Sequence, residues 1–303
     1  MDLIDGADSL QNGLRSIVKN YSLPIEETLL RITYVKEFQK LLTDFYPDAE
    51  VDVYGSSCFG FSTVYSDLDI ILKIQPTTED STLKTMYDVK NLLRQKDKSN
   101  TAFISLFRGK YPIINIRHNL LGCYIDISVK NIEEFNLVQE SRLFYSNYFG
   151  SYHGIEDFII ILKVLFRKYR VISDGPSKYF TSFKITAIFI HFLHEMKVLD
   201  PMKYDLIRPV KFSQEYDRIL IEFLEWVSKK DFSNQFISLY EGCSLNKLNL
   251  APELRNSKDY LICLEPFKND FKNITTNIDV NTWKQFQALC SQIRNDLVKI
   301  MDK

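Results

Sequence analysis

The sequence lacks an excess of charge of either sign and lacks a long apolar run, and each absence excludes a class of protein. It has 38 basic and 39 acidic residues among 303, a formal net charge of −1, which excludes a uniformly basic protein that coats nucleic acid. Its closest approach to a membrane span, FIIILKVLF at 158–166, is short and interrupted by Lys163, so no span is expected. The N-terminal residues MDLIDGADSLQNGL contain early acids and no apolar segment, so no secretory signal is predicted.

Cysteine is scarce and is not arranged for disulfides or zinc. The five cysteines are odd in number and form no C-x-x-C pair, so they are predicted to be reduced thiols. This pattern predicts a cytoplasmic protein, with the nucleus or another reducing compartment as the alternative. His191 and His194 share one helix face in an apolar run and are predicted to be core histidines rather than metal ligands.

The hydrophobic pattern predicts an α+β fold with two lobes. The composition, 45% apolar and 25% charged, is that of a soluble globular protein. Residues 1–47 are predicted to be N-terminal helices that pack on either lobe, with the helical lobe preferred. A small mixed sheet is expected within 48–138, and a mainly helical domain within 139–303. Strands are predicted at 50–54, 67–74, 102–107, 113–117 and 123–129, and the main helices at 25–45, 83–94, 155–169, 182–196, 214–228 and 283–301.

Two carboxylates open the apolar run DLDIILKI at 67–74. Because alternate residues of a strand point to one face, Asp67 and Asp69 are expected side by side. Adjacent carboxylates repel each other unless a cation lies between them, and oxygen ligands favour Mg²⁺ or Mn²⁺ over zinc. The pair therefore predicts a divalent metal site.

Three more residues extend this candidate site. Asp126 is a lone acid in the largely apolar run CYIDISV at 123–129 and is the candidate for a third carboxylate. Two ions held by three aspartates activate a hydroxyl nucleophile and stabilise the leaving oxygen of an in-line phosphoryl displacement. Gly55 permits a sharp turn and a close approach of phosphate oxygens to backbone N–H groups, and Ser56 adds a hydroxyl donor.

Gly55-Ser56, followed by Ser66-Asp67-Leu68-Asp69, resembles the signature of the DNA polymerase β-like nucleotidyltransferases. The helical half resembles the central domain of terminal uridylyltransferases and cytoplasmic poly(A) polymerases. The resemblance covers about residues 50–275. Its later segments are SRL at 141–143, ILKVLFR at 161–167, FTSF at 180–183, LEPF at 264–267 and Lys272-Asn273.

The resemblance implies a small nucleotidyltransferase lobe and a helical central domain, with the active site in the cleft between them. It implies that Asp67, Asp69 and Asp126 are catalytic and hold two Mg²⁺ or Mn²⁺ ions. Lys163 and Arg167, four residues apart on one helix, would reach the same phosphates. The positions that it assigns to nucleotide binding are Gly55, Ser56, Ser141, Arg142, Lys163, Arg167, Ser182 and Phe183.

Several of these positions depart from the family pattern. Ser141 and Arg142 replace the asparagine and hydroxyl residue that the family commonly uses, and Phe183 replaces a tyrosine that stacks on the base. Phenylalanine keeps the π-face but loses the hydroxyl. The segment predicted to select the base resembles that of the cytoplasmic poly(A) polymerases, which favours ATP over UTP as the substrate. It comprises Glu265, Lys268, Lys272 and Asn273.

Local surpluses of basic residues predict where RNA binds. The region 84–117 has eight Lys or Arg against two Asp, with aromatic residues interleaved, which suits single-stranded nucleic acid. An ordinary solvated helix face is the competing interpretation. A partner protein that supplies RNA binding or processivity is a hypothesis that the near-zero net charge motivates. The candidate RNA-binding residues are Lys96, Lys98, Arg108, Lys110 and Arg117.

The resemblance therefore predicts a template-independent RNA 3′-nucleotidyltransferase, with a poly(A) polymerase that uses ATP as the preferred form. A terminal uridylyltransferase is the first alternative. A second-messenger or oligoadenylate synthetase on the same core is the second, and a non-catalytic partner subunit of an active polymerase is the third.

Overall fold

Five strands alternate between apolar and polar side chains, and they form one sheet in the computed structural model of the chain. The strands are β1 (Glu50–Tyr54), β2 (Leu68–Lys73), β3 (Thr101–Phe107), β4 (Ile113–His118) and β5 (Cys123–Lys130). Their order in the sheet is β1-β2-β5-β4-β3. β2 and β5 are parallel, and the other neighbouring pairs are antiparallel. The structure describes residues 9–74, 79–108, 112–130, 134–136, 139–140, 142, 146, 154–172, 180–200, 205–206, 212–250, 254, 261, 263–264 and 273–301.

The alternation gives the sheet two faces. On the apolar face, side chains such as Ile70, Ile116 and Ile127 are fully buried and belong to one core cluster. The intervening residues point to the opposite face, named here the acidic face because it carries Asp69 and Asp126. This separation follows from the two-residue period of a strand.

Two helices cover the apolar face. α2 (Ile25–Thr43) begins after Pro24, with Glu26 and Glu27 in its first turn, where the helix dipole favours negative charge. It contributes Tyr34, Phe38 and Leu42 to the core cluster. α3 (Glu79–Lys96) contributes Met86, Val89, Leu92 and Leu93.

The contacts divide the chain into a sheet unit, Tyr21–Ser146, and a helical unit made of Met1–Asn20 and Asn147–Lys303. α1 (Leu10–Tyr21) therefore falls mainly in the helical unit and α2 in the sheet unit. The predicted domain boundaries at residues 47 and 138 stay predictions.

The helical unit packs around aromatic rings. Phe158 of α4 (Ile155–Lys168) stacks on Phe189 of α5 (Ser182–Glu195), with ring centroids 4.6 Å apart. Phe189 also meets Phe223 of α6 (Tyr216–Lys229) edge-on. Two short strands, β6 (Leu199–Asp200) and β7 (Asp205–Leu206), pair with each other. Three more, β8 (Gln235–Ser238), β9 (Cys243–Asn246) and β10 (Cys263–Leu264), form a sheet in the order β10-β8-β9. The last described helix of this unit is α7 (Val280–Met301).

One carboxylate at the end of α5 ties several segments of the helical unit together. Glu195 accepts hydrogen bonds from Trp226 Nε1 at 2.9 Å and Ser244 Oγ at 2.8 Å, and pairs with Lys230 Nζ at 2.5 Å. His191 Nε2 lies 3.2 Å from it. Although burial opposes ionisation, these hydrogen bonds hold the pKa of Glu195 well below its usual range. The full set of donors makes this carboxylate structural.

The predicted α+β class is confirmed. His191 and His194 are both buried, as expected of core histidines. Among the described residues, no helix is long and apolar enough to cross a bilayer.

Candidate active site

A single row of side chains crosses all five strands on the acidic face. The pairs in register are Tyr54 with Asp69, Asp69 with Asp126, Asp126 with Asn115, and Asn115 with Ser105. Residues paired in register lie on the same face, with Cβ atoms about 5 Å apart. The parallel pairing of β2 with β5 therefore brings Asp69 and Asp126 together at the centre of the row.

Asp126 is held in place from the next strand. Nδ2 of Asn115 donates a hydrogen bond to Oδ1 of Asp126 at 2.6 Å. A carboxylate has two acceptor oxygens, so this bond orients the group without using Oδ2. Asn115 is a positioning residue that the sequence alone did not suggest.

Gly55 packs directly against the carboxylate of Asp69. Its φ is +66°, and a Cβ atom built at this position would collide with Oδ2 of Asp69. Both the backbone conformation and the close approach require glycine. The Gly55 that the sequence associated with phosphate binding therefore also defines the space beside Asp69.

The phenol of Tyr54 lies in the electric field of both carboxylates. Burial, followed by the negative charges of Asp69 and Asp126, raises the pKa of Tyr54 well above its usual value, although a hydrogen bond with Ser128 lowers it. Both carboxylates therefore act on one point near the Tyr54 hydroxyl. Repulsion between Asp69 and Asp126, which are paired in register, makes a cation between them favourable.

Asp67 lies at the turn into β2, and a buried arginine anchors that turn. Arg31 of α2 is 4% exposed and donates to the carbonyl oxygens of Ser66 at 2.7 Å and Asp67 at 3.3 Å. Burial raises the pKa of the Cys123 thiol, Arg31 lowers it, and the charge of Asp67 raises it further. The Asp67 carboxylate therefore acts near the start of β5, the strand that also carries Asp126.

The hydroxyl of Ser56 lies in a tight turn, Gly55–Cys58, that follows β1. Oγ of Ser62 is 3.4 Å from Oγ of Ser56 and 3.4 Å from Oγ of Ser57. Three hydroxyl groups therefore gather next to Gly55. Hydroxyl hydrogens rotate to suit their partner, so this cluster is able to donate to an anion.

Arg142 is tied to the first strand of the sheet. Its Nη1 lies 2.8 Å from both carboxylate oxygens of Asp52, and Gln139 also donates to Asp52. Burial raises the pKa of Cys58 to about 12, with Arg142 acting against this shift and Asp52 adding to it. The structure therefore places Arg142 on the acidic face through its ion pair with Asp52, two residues before Tyr54.

The predicted phosphate-binding residues of the helical unit lie on two helices. Lys163 and Arg167 are one turn apart on α4, and Lys163 is 9% exposed. Ser182 begins α5, whose N-cap residue Thr181 accepts a hydrogen bond from the backbone N–H of Lys184. Phe183 is 41% exposed. These positions agree with the predicted helices, and their roles towards a nucleotide stay predictions.

Most of the predicted base-selection segment cannot be placed. Asn273 is buried, and its Oδ1 accepts hydrogen bonds from the backbone N–H of Cys263 at 3.1 Å and of Thr275 at 3.0 Å. Its carboxamide thus links the start of β10 to the turn at 274–277. The predicted site residues that lie outside the described residues are Ser141, Glu265, Lys268, Lys272 and Lys110.

The predicted RNA-binding residues divide between the two sides of the sheet. Arg117 is exposed on the acidic face, paired in register with Tyr124. Arg108 follows β3 and lies over the ring of Tyr87 on α3, 5.3 Å from its centroid. Lys96 ends α3, and Lys98 follows it in a turn. Of these four, the sheet brings only Arg117 to the face that carries the carboxylates.

The chemistry of the donors fits a divalent cation. Asp69 and Asp126 offer oxygen ligands from neighbouring strands, as Mg²⁺ and Mn²⁺ prefer. Among the described residues, no three His, Cys, Asp or Glu side chains are already arranged as ligands of one metal. Asp69 and Asp126 are therefore the centre of the candidate metal site. The role of Asp67 as a third ligand stays a prediction.

Comparison with known proteins supports the resemblance. Residues 10–144 match the family described as poly(A) RNA polymerase, mitochondrial-like, central palm domain. The human poly(A) RNA polymerase, mitochondrial, is 21% identical to the chain over 96% of the chain and 56% of its own length. The chain thus spans about half the length of the curated relatives it matches.

Two solved structures show the same fold. The crystal structure of mtPAP in complex with CTP has a TM-score of 0.80 and 20% identity, over 98% of this chain and 70% of that chain. The GLD-2/RNP-8 complex contains a chain with a TM-score of 0.75 and 15% identity, over 97% of this chain and 98% of that chain. The architecture of the described residues is therefore shared with these polymerase structures.

Proposed function

We propose that this chain, which belongs to the nucleotidyltransferase superfamily, is a template-independent polymerase that adds AMP from ATP to the 3′ end of RNA. The observation that carries the proposal is the register of Asp69 with Asp126 on two parallel strands, with Gly55 closed against Asp69. Two carboxylates at this spacing suit metal-assisted phosphoryl transfer.

In the proposed reaction, the 3′-oxygen of RNA attacks the α-phosphorus of ATP. A new P–O bond forms, the bond between the α-phosphorus and its bridging oxygen breaks, and pyrophosphate leaves while the hydroxyl proton passes to solvent. Asp69 and Asp126, with Asp67, would hold two Mg²⁺ or Mn²⁺ ions. When bound, these ions lower the pKa of the attacking hydroxyl and neutralise the charge on the leaving oxygen.

The rest of the proposed mechanism is positioning. Gly55 keeps the space beside Asp69 open, and Asn115 fixes the direction of Asp126. The hydroxyl of Ser56 and the backbone of its turn are proposed to bind phosphate oxygens. Orientation of this kind contributes a large share of the rate when no covalent intermediate forms.

Nucleotide contacts from the helical unit are also proposed. Lys163 and Arg167 lie one turn apart on α4, and we propose that both contact the same triphosphate. Ser182 is proposed to donate to the phosphates, and the exposed ring of Phe183 to stack on the base. The preference for ATP rests on the resemblance at Glu265, and UTP is the second candidate.

A protein partner is proposed on two grounds. The net charge of −1 gives little general attraction for RNA. A relative of the same fold, GLD-2, was solved as a complex with RNP-8. The cytoplasmic location expected from the cysteines stays a prediction.

The proposal is tested by primer extension with the full chain. A short labelled RNA is incubated with Mg²⁺ or Mn²⁺ and each nucleoside triphosphate in turn, beside Asp69→Asn. We expect extension with ATP and at least a thousandfold loss in the variant, because the ions lose a charged ligand. Asp44→Asn, an exposed change just after α2, is the matched control and should keep full activity.

Each other outcome corrects a defined part of the proposal. Extension with UTP alone keeps the mechanism and overturns the choice of base. Products formed from ATP without RNA favour the second-messenger or oligoadenylate synthetase. No product with any nucleotide, either metal, with or without primer, contradicts the enzymatic proposal and favours a non-catalytic subunit.

A further inference from the structure

The acidic face continues beyond the carboxylates as a second row of large side chains. Tyr124 of β5 is paired in register with Arg117 of β4, and Arg117 with Phe103 of β3. Tyr124 lies two residues before Asp126 on the same strand, so both point to the same face. This second row, Tyr124, Arg117 and Phe103, is named the aromatic row.

The aromatic row is exposed, whereas the residues behind it are buried. Tyr124 is 43% exposed and Phe103 is 55% exposed. Their strand neighbours Ile125 and Ile104 point to the apolar face and are 0% and 8% exposed. Because these two rings are exposed to solvent, their burial contributes little to the stability of the fold. Their position beside the carboxylates indicates a surface that binds a ligand.

Arg117 supplies a charge between the two rings. Its side chain is exposed, and among the described residues no carboxylate lies within ion-pair distance of it. A guanidinium without a carboxylate partner is available to a phosphate oxygen, or to the face of a base. Two rings with a cation between them form a surface suited to a chain of alternating bases and phosphates.

The dimensions fit a few nucleotides. Neighbouring strands are about 4.8 Å apart, so Tyr124 and Phe103 are separated by about 10 Å across β4. The aromatic row is two residues along the strand from the row of Asp126, a displacement of about 7 Å. Unpaired bases stack on exposed aromatic rings, while duplex bases are not available for this contact.

We propose that Tyr124, Arg117 and Phe103 form a stacking platform for the unpaired bases of single-stranded RNA next to its reacting 3′ end. This inference rests on the proposed function, because it places the RNA beside Asp69 and Asp126. It also revises the expected RNA surface, since Arg108 and Lys96 lie towards α3 rather than on the acidic face.

Direct binding of RNA tests the platform without any catalysis. The full chain is titrated into a short labelled single-stranded RNA, with no nucleotide present, and fluorescence anisotropy is measured. We expect Phe103→Ala and Tyr124→Ala each to weaken binding about tenfold, since each removes one stacking surface. Arg117→Gln should lower the slope of log affinity against log salt by about 1.

Matched variants separate stacking from a general loss of structure. Phe45, in the turn after α2, is also 55% exposed, so Phe45→Ala removes an equal ring from another place and should bind RNA normally. Phe103→Tyr and Tyr124→Phe keep a ring and should retain affinity. In primer extension, the alanine variants should raise KM for RNA and leave KM for ATP unchanged.

Failure of the platform and failure of the proposed function give different results. Unchanged RNA affinity in both alanine variants, with extension intact in the parent chain, overturns the platform alone. The same result follows if the rings bind a partner protein instead of RNA. Ring-dependent RNA binding without extension by the parent chain supports the platform and contradicts the proposed polymerase.

Discussion

The two faces of the five-stranded sheet carry opposite side chains on the same backbone. The apolar face packs Ile70 and Ile127 against α2 and α3 at 0% exposure. The acidic face carries Asp69 and Asp126, with Asn115 and Ser105 in the same row. The apolar face therefore supplies most of the stability of the sheet. The acidic face carries the polar groups that can bind a metal ion or take part in a reaction.

This difference explains how the sheet tolerates a cluster of carboxylates. Burial of apolar side chains on one face supplies the favourable free energy of the sheet. The repulsion between Asp69 and Asp126 lowers the stability of the same strands. The two faces should consequently respond in opposite ways to substitution, with activity changing on one and stability on the other.

Adjacent residues of β5 give the largest contrast. Asp126→Asn should reduce primer extension at least a thousandfold, because it removes a ligand charge. It should not lower the melting temperature, since Asn115 still finds an oxygen and the repulsion with Asp69 is relieved. Ile127→Ala should destabilise the sheet unit by about 2–5 kcal/mol, measured by chemical denaturation.

This prediction is contradicted if Asp126→Asn lowers stability or if Ile127→Ala does not. A large loss of stability in Asp126→Asn would show that the carboxylate supports the fold. Near-normal stability in Ile127→Ala would show that the apolar face is not the core of the unit.

Substitution of Gly55 tests whether activity requires the close approach between its backbone and the Asp69 carboxylate. Gly55→Ala should reduce extension by about 100-fold, since a new Cβ displaces the Asp69 carboxylate. Gly122→Ala is the matched control, because Gly122 has a similar φ of +63° with no atom near the added Cβ. Both variants should lose about 1–2 kcal/mol of stability from the backbone conformation. Equal activity of the two variants would contradict the role of the close approach.

Asn115 should give a smaller effect on the same face. Asn115→Ala removes the donor to Asp126, and loss of a partner that orients a metal ligand costs about 10–100-fold in metal affinity or activity. The Mg²⁺ concentration for half-maximal extension should rise accordingly, and the loss should diminish at high Mg²⁺. Ser105→Ala is the control: its hydroxyl is buried with no hydrogen-bond partner among the described residues, so activity should not change. Equal losses of activity in both variants would indicate that any substitution in this row disrupts the site, and would contradict a specific role for the Asn115 hydrogen bond.

Local pattern was sufficient to predict the elements of the sheet. The predicted bounds of β1 match the structure, and those of β3, β4 and β5 differ by one residue at one end. α3 begins at Glu79, four residues before its predicted start at residue 83. The short strands β6 to β10 were not predicted, because two to four residues are too few to show an alternation.

The site was predictable only in part. The spacing of Asp67 and Asp69 and the isolation of Asp126 identified three acids, and the structure pairs Asp69 with Asp126 in register. Asn115 was missed because a single sequence shows which residues share a face within a strand, but not which strand lies next to it. Arg31 was missed for the same reason, since its partners are backbone carbonyls on another element.

The membership of α1 in the helical unit has a consequence for synthesis on the ribosome. Leu10, Leu14 and Ile17 are buried, and Gln11 donates to the carbonyl of Ser213 at 3.0 Å. α1 therefore leaves the ribosome about two hundred residues before the segment that it packs against, which follows the whole sheet unit. During translation its apolar stripe is exposed, and the sheet unit is the first part able to fold. The helical unit is completed only when α1 packs against the segments that follow the sheet unit.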